Sequence, residues 1–216
     1  MIKLVTKPII NIDGKDYTFT LGQTVLQVAL ENEIYIPNLC YMEGLEPYGG
    51  CRLCVVKVEG DRKPYQTSCA TPARDGMTVI TKNEELQEMR KDVMQMMLCE
   101  HPYNCLICGH SVVCQDLQTH HKNKNSKAIF GCYNCPKKDD CQLKQVAEYL
   151  EIDEVIFDFE YKNIPIEDEG LFFDRDYNLC ILCGKCVRAC EEIRGIHAID
   201  FMNRGHKTRV STALNM

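Results

Sequence analysis

The chain has 216 residues, of which 15 are cysteine, and a formal net charge of −6. This acidic balance argues against a nucleic-acid partner, because a nucleic-acid surface would be basic. No stretch approaches the roughly 20 consecutive apolar residues of a membrane span, and the N-terminus lacks the apolar run of a signal peptide. We therefore expect a cytoplasmic protein without direct membrane insertion. The cysteine count is odd and most cysteines form C-x2-C pairs, which indicates metal-bound thiols rather than a disulfide framework.

The first 82 residues carry the signals of a small sheet with one helix. Apolar segments at Ile9–Ile12 and 17–20 flank an Asp-Gly-Lys turn and predict a hairpin. Thr24 and Gln27 have the spacing of a capping box that opens a helix, and we expect Pro37 to end that element. Further strands are predicted at Val55–Val58 and 77–81.

Four cysteines follow the predicted helix with the spacing C-x10-C-x2-C-x14-C. They are Cys40, Cys51, Cys54 and Cys69. Hairpin, helix, cysteine loop and further strands is also the order of a β-grasp, plant-type ferredoxin, whose [2Fe–2S] cluster takes four thiolates. We expect Gly49 and Gly50 to let backbone N–H groups approach the sulfurs. A zinc knuckle with two core cysteines is the alternative, although zinc ligands usually come as two close pairs.

The middle of the chain carries a cysteine pattern twice. A predicted helix that Asn83 caps leads into H-x3-C-x2-C-x5-C, and C-x2-C-x5-C then recurs. The first set is His101, Cys105, Cys108 and Cys114, and the second is Cys132, Cys135 and Cys141. Either Cys114 completes the first set and the second set starts a new cluster, or Cys141 is the fourth ligand beside His101 and 114–135 lies in an insertion.

An additional cluster in this region would need a fourth ligand from elsewhere. The candidates are Cys99, Cys190, His120 and His121. A structural zinc in the insertion is the alternative, since zinc also accepts Cys and His ligands.

Near the C-terminus, four cysteines have the spacing C-x2-C-x2-C-x3-C, which is typical of bacterial ferredoxins that hold a [4Fe–4S] cluster. They are Cys180, Cys183, Cys186 and Cys190. We expect the first three to ligate from a tight loop that Gly184 allows to bend. Cys190 is predicted on a short helix that ends at Gly195, and strands are predicted at 198–202 and 208–212.

The number of candidate ligands matches a whole number of clusters. Fifteen cysteines together with His101 make sixteen groups, which four clusters with four ligands each would use completely. We therefore expect one [2Fe–2S] and three [4Fe–4S] clusters, with two [4Fe–4S] clusters as the minimum.

Taken together, these motifs resemble the iron–sulfur N-terminal module shared by the large subunit of respiratory complex I, iron-only hydrogenases and NAD-dependent formate dehydrogenases. The resemblance covers nearly the whole chain and implies an α+β fold in three parts. These are a β-grasp [2Fe–2S] domain at 1–82, a helical His/Cys [4Fe–4S]-binding segment with a cysteine-bearing insertion at 83–160, and half of a bacterial ferredoxin-like [4Fe–4S] domain at 161–216. It also implies His101 as an iron ligand.

In hydrogenases and formate dehydrogenases a second C-x2-C-x2-C run follows this point, whereas here the chain ends at Met216. We therefore expect a short stand-alone subunit, and the role of Cys190 stays open.

The sequence contains no dinucleotide, P-loop or nucleophile-elbow motif, so we expect no catalytic residues and no enzyme activity in this chain alone. The resemblance implies an electron-transfer subunit of an oxidoreductase complex. Its expected partners are a flavin/NAD(H)-binding or ferredoxin-linked subunit and a catalytic redox subunit. A soluble polyferredoxin carrier and a zinc-stabilised interaction module are the two alternatives.

Overall fold

The computed structural model describes residues 7–103, 106–107, 135, 137, 139–167 and 174–212. The chain forms two compact units, the first ending at Val93 and the second beginning at Met94. The division falls inside a helix that the sequence predicts as continuous. The three-part division with boundaries at 82 and 160 stays a prediction.

The first unit begins with the predicted hairpin. Strand β1 (Ile9–Ile12) pairs antiparallel with β2 (Lys15–Thr18), and Ile12 lies opposite Lys15. The turn between them has positive φ at Asp13 (52°) and Gly14 (84°), as a two-residue hairpin turn of the primed type requires. Because the turn has only two residues, the second strand begins at Lys15, and the predicted start at residue 17 was late.

Helix α1 (Val25–Glu31) confirms the predicted capping box. The Thr24 hydroxyl accepts a hydrogen bond from the Gln27 N–H, and the Gln27 side chain accepts one from the Thr24 N–H at 2.8 Å. The helix ends at Glu31, well before Pro37, which was the wrong terminator. Asn32 ends it instead, because its side chain donates to the Val28 carbonyl at 2.8 Å and satisfies an orphan acceptor of the last turn.

The remaining strands of the first unit are β3 (Val55–Val58), β4 (Tyr65–Thr67) and β5 (Met77–Ile80). The sheet order is β2-β1-β5-β3-β4, with β1 and β5 parallel and the other pairs antiparallel. The buried residues of α1 and of the inner strands form one apolar core. This mixed sheet with its packed helix confirms the predicted α+β class and ferredoxin-like fold.

Helix α2 (Glu84–Leu98) begins as predicted, with the Asn83 side chain accepting from the Leu86 N–H at 2.8 Å. Its fully buried positions repeat every four residues. They are Leu86, Arg90, Met94 and Leu98. Met89, Val93 and Met97 are only half-buried, so the methionine-rich stripe is less of a core face than its spacing predicts.

The second unit contains short elements joined by extended segments. Helix α3 (Gln142–Tyr149) begins after Cys141, and helix α4 (Lys185–Arg188) continues as a π-helical turn at Ala189–Ile193. A left-handed Gly195 (φ 65°) follows this turn, which confirms the predicted end of the helix. Strands β6 (Ile199–Met202) and β7 (Arg209–Thr212) then form an antiparallel hairpin. Among the described residues, no helix has the length and apolarity that crossing a membrane requires.

The cap of α1 yields a stability prediction. Thr24→Ala removes the hydroxyl that satisfies the Gln27 N–H and should lower the free energy of unfolding by about 1 kcal/mol. Urea unfolding followed by circular dichroism, at equal iron content, measures this loss. The matched control is Thr24→Ser, which keeps the hydroxyl and should retain most of the stability. Equal losses in the two variants would contradict a capping role.

Candidate iron–sulfur sites

Four thiols that are far apart in sequence come together in the first unit, and all four are buried. Cys40 and Cys51 lie on the loop between α1 and β3, Cys54 directly precedes β3, and Cys69 follows β4. Their mutual hydrogen bonds run from Cys51 through Cys40 and Cys69 to Cys54. The fold therefore brings all four predicted [2Fe–2S] ligands to one place.

Backbone N–H groups point at these sulfurs. The Leu39 N–H donates to the Cys51 sulfur at an N···S distance of 3.5 Å, and the Cys51 N–H donates to the Cys40 sulfur at 3.4 Å. The Gly50 N–H also donates to Cys40. Such donors stabilise negative charge on sulfur, which is the role that the glycine pair is predicted to allow.

Two different features of the loop favour glycine at positions 49 and 50. Gly49 has a left-handed φ of 61°. Gly50 has no room for a side chain in this conformation, because a Cβ would lie 2.3 Å from the Tyr48 ring. Glycine at both positions therefore lets the loop follow the sulfurs closely without backbone strain at 49 or displacement of the Tyr48 side chain at 50.

The thiols change each other's proton affinity. Hydrogen bonds from Cys51 and Cys69 lower the pKa of Cys40 to about 2, and a hydrogen bond from Cys69 lowers the pKa of Cys54 to about 7. The pKa values of Cys51 and Cys69 rise, because these thiols are the donors to Cys40 and are also desolvated. Thiolate is the form that binds iron, so Cys40 and Cys54 are the closer to the binding form, and Cys51 and Cys69 would lose their protons when iron binds.

The four thiols are linked in a row by their mutual hydrogen bonds. Within the described residues, no group of three or more His, Cys, Asp or Glu side chains converges closely enough to hold one metal ion.

In the second unit, His101 directly follows Cys99-Glu100 at the end of α2. Its Nδ1 lies 3.1 Å from the Pro102 carbonyl oxygen, as expected for an Nδ1–H donor. Burial lowers the pKa of His101 to about 4, so the imidazole is neutral at neutral pH and is in the form that binds metals. Lys162 is paired with Glu100 at 3.0 Å beside this histidine.

Cys135 and Cys141 are electrostatic neighbours. The charge of Cys141 contributes to raising the pKa of Cys135, after the larger contribution of burial. Asp176 influences the pKa values of both Cys135 and His101. Cys141 also begins α3, where its sulfur accepts from the Lys144 N–H at 3.4 Å. The remaining candidates of this region lie outside the described residues; they are Cys105, Cys108, Cys114, Cys132, His120 and His121.

Cys180 and Cys183 lie on the loop that leads into α4, whereas Cys186 is the second residue of that helix and does not lie on the predicted loop. The Cys180 sulfur accepts from the Leu182 N–H at 3.4 Å, and Gly184, which is predicted to allow the bend, has a left-handed φ of 74°. Burial raises the pKa values of Cys180 and Cys186, and the nearby Cys183 adds to both shifts. The three thiols are therefore close neighbours, as their spacing predicts.

Two further cysteines form hydrogen bonds of their own. The Cys190 sulfur accepts from the Ala198 N–H at 3.2 Å. The Cys99 thiol lies 3.1 Å from the Met96 carbonyl oxygen and donates to it, and burial raises its pKa. Their assignment as cluster ligands stays a prediction.

Sequence reasoning missed Arg90. Its side chain is fully buried (0% exposed) behind the Cys51–Cys54 loop and donates to the carbonyls of Leu53 and Val55. The signal that could have revealed it is a charged residue on the buried i, i+4 face between Leu86 and Met94.

Comparison with known proteins identifies a [2Fe–2S] domain in the first unit. A family profile described as a 2Fe-2S iron–sulfur cluster binding domain matches residues 7–84. The NADPH-Fe(3+) oxidoreductase subunit alpha of Geobacter sulfurreducens is 34% identical over 94% of this chain and 21% of its own length. The NADP-reducing hydrogenase subunit HndD of Solidesulfovibrio fructosivorans is 31% identical over 96% of this chain and 32% of its own. The chain thus spans about a fifth to a third of these curated relatives.

A crystal structure of the NAD+-reducing [NiFe]-hydrogenase in the H2-reduced state contains a chain with the same fold. It is 31% identical, with a TM-score of 0.75 over 96% of this chain and 75% of that chain. The families predicted from the sequence included iron-only hydrogenases but not [NiFe]-hydrogenases.

The fold and the buried thiol cluster of the first unit define an iron–sulfur protein of the [2Fe–2S] type. More particularly, the chain belongs to the family of iron–sulfur electron-transfer modules found in hydrogenases, NADH-quinone oxidoreductases and formate dehydrogenases.

The glycine pair yields a prediction about cluster retention. Gly49→Ala forces a left-handed conformation on a residue with a Cβ, which costs about 1–2 kcal/mol in the loop that carries Cys40 and Cys51. We expect several-fold faster loss of the [2Fe–2S] absorbance in the presence of an iron chelator.

Gly60→Ala is the matched control. Gly60 also has positive φ (76°) and lies in the β3–β4 turn, where no other atom is within 4 Å of the position that a Cβ would take. The substitution should lower the stability by a similar amount and release iron at the wild-type rate. Equal acceleration in both variants would show that the loop around Gly49 has no special role.

Proposed function

We propose that the chain relays single electrons through several iron–sulfur clusters between two partner subunits of an oxidoreductase complex. The observation that carries this proposal is the convergence of four buried thiols with backbone N–H groups directed at their sulfurs. Bound clusters supply one-electron chemistry with little change of geometry. The residues of the chain hold them, exclude water and set their potentials.

The proposed ligand sets follow the thiol groups. The [2Fe–2S] cluster takes Cys40, Cys51, Cys54 and Cys69. One [4Fe–4S] cluster takes Cys180, Cys183 and Cys186, and another takes His101, Cys105, Cys108 and a fourth thiolate. An additional [4Fe–4S] cluster with Cys132 and Cys135 would complete the expected set of four, with Cys99 and Cys190 as the remaining thiols.

For the His101 set, we favour Cys141 over Cys114 as the fourth ligand. The support is electrostatic: the charge of Asp176 influences the pKa values of both His101 and Cys135, and Cys141 also influences the pKa of Cys135. Cys141 also has a fixed position at the start of α3, as a ligand requires. The neutral imidazole of His101 can bind iron without first losing a proton.

The proposed partners are a flavin/NAD(H)-binding or ferredoxin-linked subunit on one side and a catalytic redox subunit on the other. The names of the relatives support this proposal, since they are subunits of oxidoreductases that use NADPH, NADP or NADH. The chain itself would perform no catalysis. A cytoplasmic location fits thiols that must stay reduced until iron binds.

The proposal predicts separable clusters. Cys54→Ala should abolish the [2Fe–2S] EPR signal of the dithionite-reduced protein and leave the [4Fe–4S] signals. Cys183→Ala should abolish one [4Fe–4S] signal and leave the [2Fe–2S] signal. The measurement is EPR with iron and acid-labile sulfide analysis of anaerobically purified chain, for which four clusters give about 14 irons. A colourless, zinc-loaded wild-type protein would refute the relay.

The choice of fourth ligand yields a second prediction. Cys141→Ala should eliminate the nitrogen coupling of His101 seen by pulsed EPR of the reduced cluster, because the cluster loses a ligand. Cys114→Ala should leave this coupling intact. His101→Ala marks which signal carries the imidazole nitrogen. The opposite pattern in the two cysteine variants would assign Cys114 instead.

A further inference from the structure

The side chain of Arg90 lies behind the [2Fe–2S] loop and is fully buried. Its Nε donates to the Leu53 carbonyl at 3.1 Å, and its Nη2 donates to the Val55 carbonyl at 2.7 Å. Nη2 also donates to the Thr81 carbonyl at 2.8 Å, and Nη1 donates to the Gln87 side chain at 3.0 Å. One guanidinium therefore connects helix α2, strand β3 and the end of strand β5.

The two loop carbonyls lie on either side of a proposed ligand. Leu53 precedes Cys54 and Val55 follows it, so the guanidinium fixes the backbone on both sides of this cysteine. The carbonyl of Cys54 itself accepts from the Ser68 hydroxyl at 2.8 Å and from the Ser68 N–H at 3.0 Å. Three consecutive carbonyls are thus held, which leaves the Cys54 backbone little freedom.

Only arginine can make this set of bonds. Its planar guanidinium presents five N–H donors in a fixed arrangement, and it stays charged when buried. A lysine at the same position would keep the charge, but its single ammonium cannot reach both loop carbonyls in the same geometry. Charge and geometry can therefore be separated by substitution.

The charge has an electrostatic consequence. One-electron reduction adds one negative charge to a site with four thiolates and needs no bond to form or break. A buried cation that is bonded to the carbonyls on both sides of Cys54 is poorly screened by water and favours the form with the additional electron. The hydrogen bond to the Leu53 carbonyl also polarises the peptide group that carries the Cys54 N–H.

We propose that Arg90 is a positioning residue for Cys54, and that its charge raises the reduction potential of the [2Fe–2S] cluster. This inference rests on the proposed function, because it requires the cluster to be bound at the four thiols. Arg90 would then influence the reduction of the cluster without being one of its ligands.

The test uses the full chain, purified anaerobically, and redox titration of the [2Fe–2S] EPR signal. Arg90→Gln removes the charge, and we expect the equilibrium constant for one-electron reduction to fall about tenfold, which corresponds to about 59 mV. Arg90→Lys keeps the charge, so its potential should stay near that of the wild type. Its cluster should nevertheless be lost severalfold faster to a chelator, because the loop carbonyls are no longer held together.

Arg74→Gln is the matched control, since Arg74 belongs to the same unit but forms an exposed ion pair with Asp61. Removing this charge should leave both the potential and the rate of iron loss unchanged. If Arg90→Gln fails to fold, the Lys variant decides: iron loss at the wild-type rate overturns the positioning role. An unchanged potential in a folded Arg90→Gln variant overturns the charge effect.

The wild type separates this inference from the proposed function. A wild-type chain without a [2Fe–2S] signal would overturn both. A wild-type chain with the signal, together with Arg90 variants that behave like the Arg74 control, would overturn only the inference about Arg90.

Discussion

Crowding of four ionisable thiols in one buried place is the constraint on which the first unit depends. Like charges at short range cannot all ionise without compensation, and the opposed pKa shifts of Cys40 and Cys69 express this conflict. Backbone N–H donors relieve part of it from within the loop. Binding of iron would compensate the remaining repulsion between the thiolates. The free energy of cluster binding would therefore contribute to the stability of the folded loop.

The surrounding fold serves this arrangement by fixing the backbone rather than by adding side chains to the site. Asp13 accepts from the Thr81 N–H at 2.7 Å and ties the hairpin turn to the end of β5. Ser68 and Arg90 hold consecutive carbonyls around Cys54 from two directions. Since the thiols can be no better positioned than the peptide groups that carry them, these bonds determine how rigid the site is.

Local signals made much of this predictable from sequence. The Asp13-Gly14 turn, the Thr24 cap, the Asn83 cap and the bend at Gly184 each depend on a few neighbouring residues, and each was confirmed. The α+β class and the iron–sulfur family followed from cysteine spacing and from resemblance. In contrast, the fourth ligand of the His101 set depends on contacts between distant segments, which spacing leaves open.

The misses also have physical causes. Strand β4 (Tyr65–Thr67) has only three residues, so it is too short and too polar to show an alternation of apolar and polar side chains. Pro37 was predicted to end helix α1, but Asn32 ends it, because a side-chain cap can end a helix before a proline does. Arg90 was missed since a charged residue on a helix is ordinarily exposed, and only tertiary contacts show that this one is buried.

The parallel pairing of β1 with β5 places all four thiols within a single long loop of the chain, because Ile10 lies opposite Met77. Closing a loop of this length has an entropic cost that rises with the number of residues between its ends. A metal cluster that joins Cys40 to Cys69 shortens that loop before the strands meet, and strands that meet first bring the cysteines within reach of one another. Binding of a cluster at these thiols and closure of this loop would therefore stabilise each other.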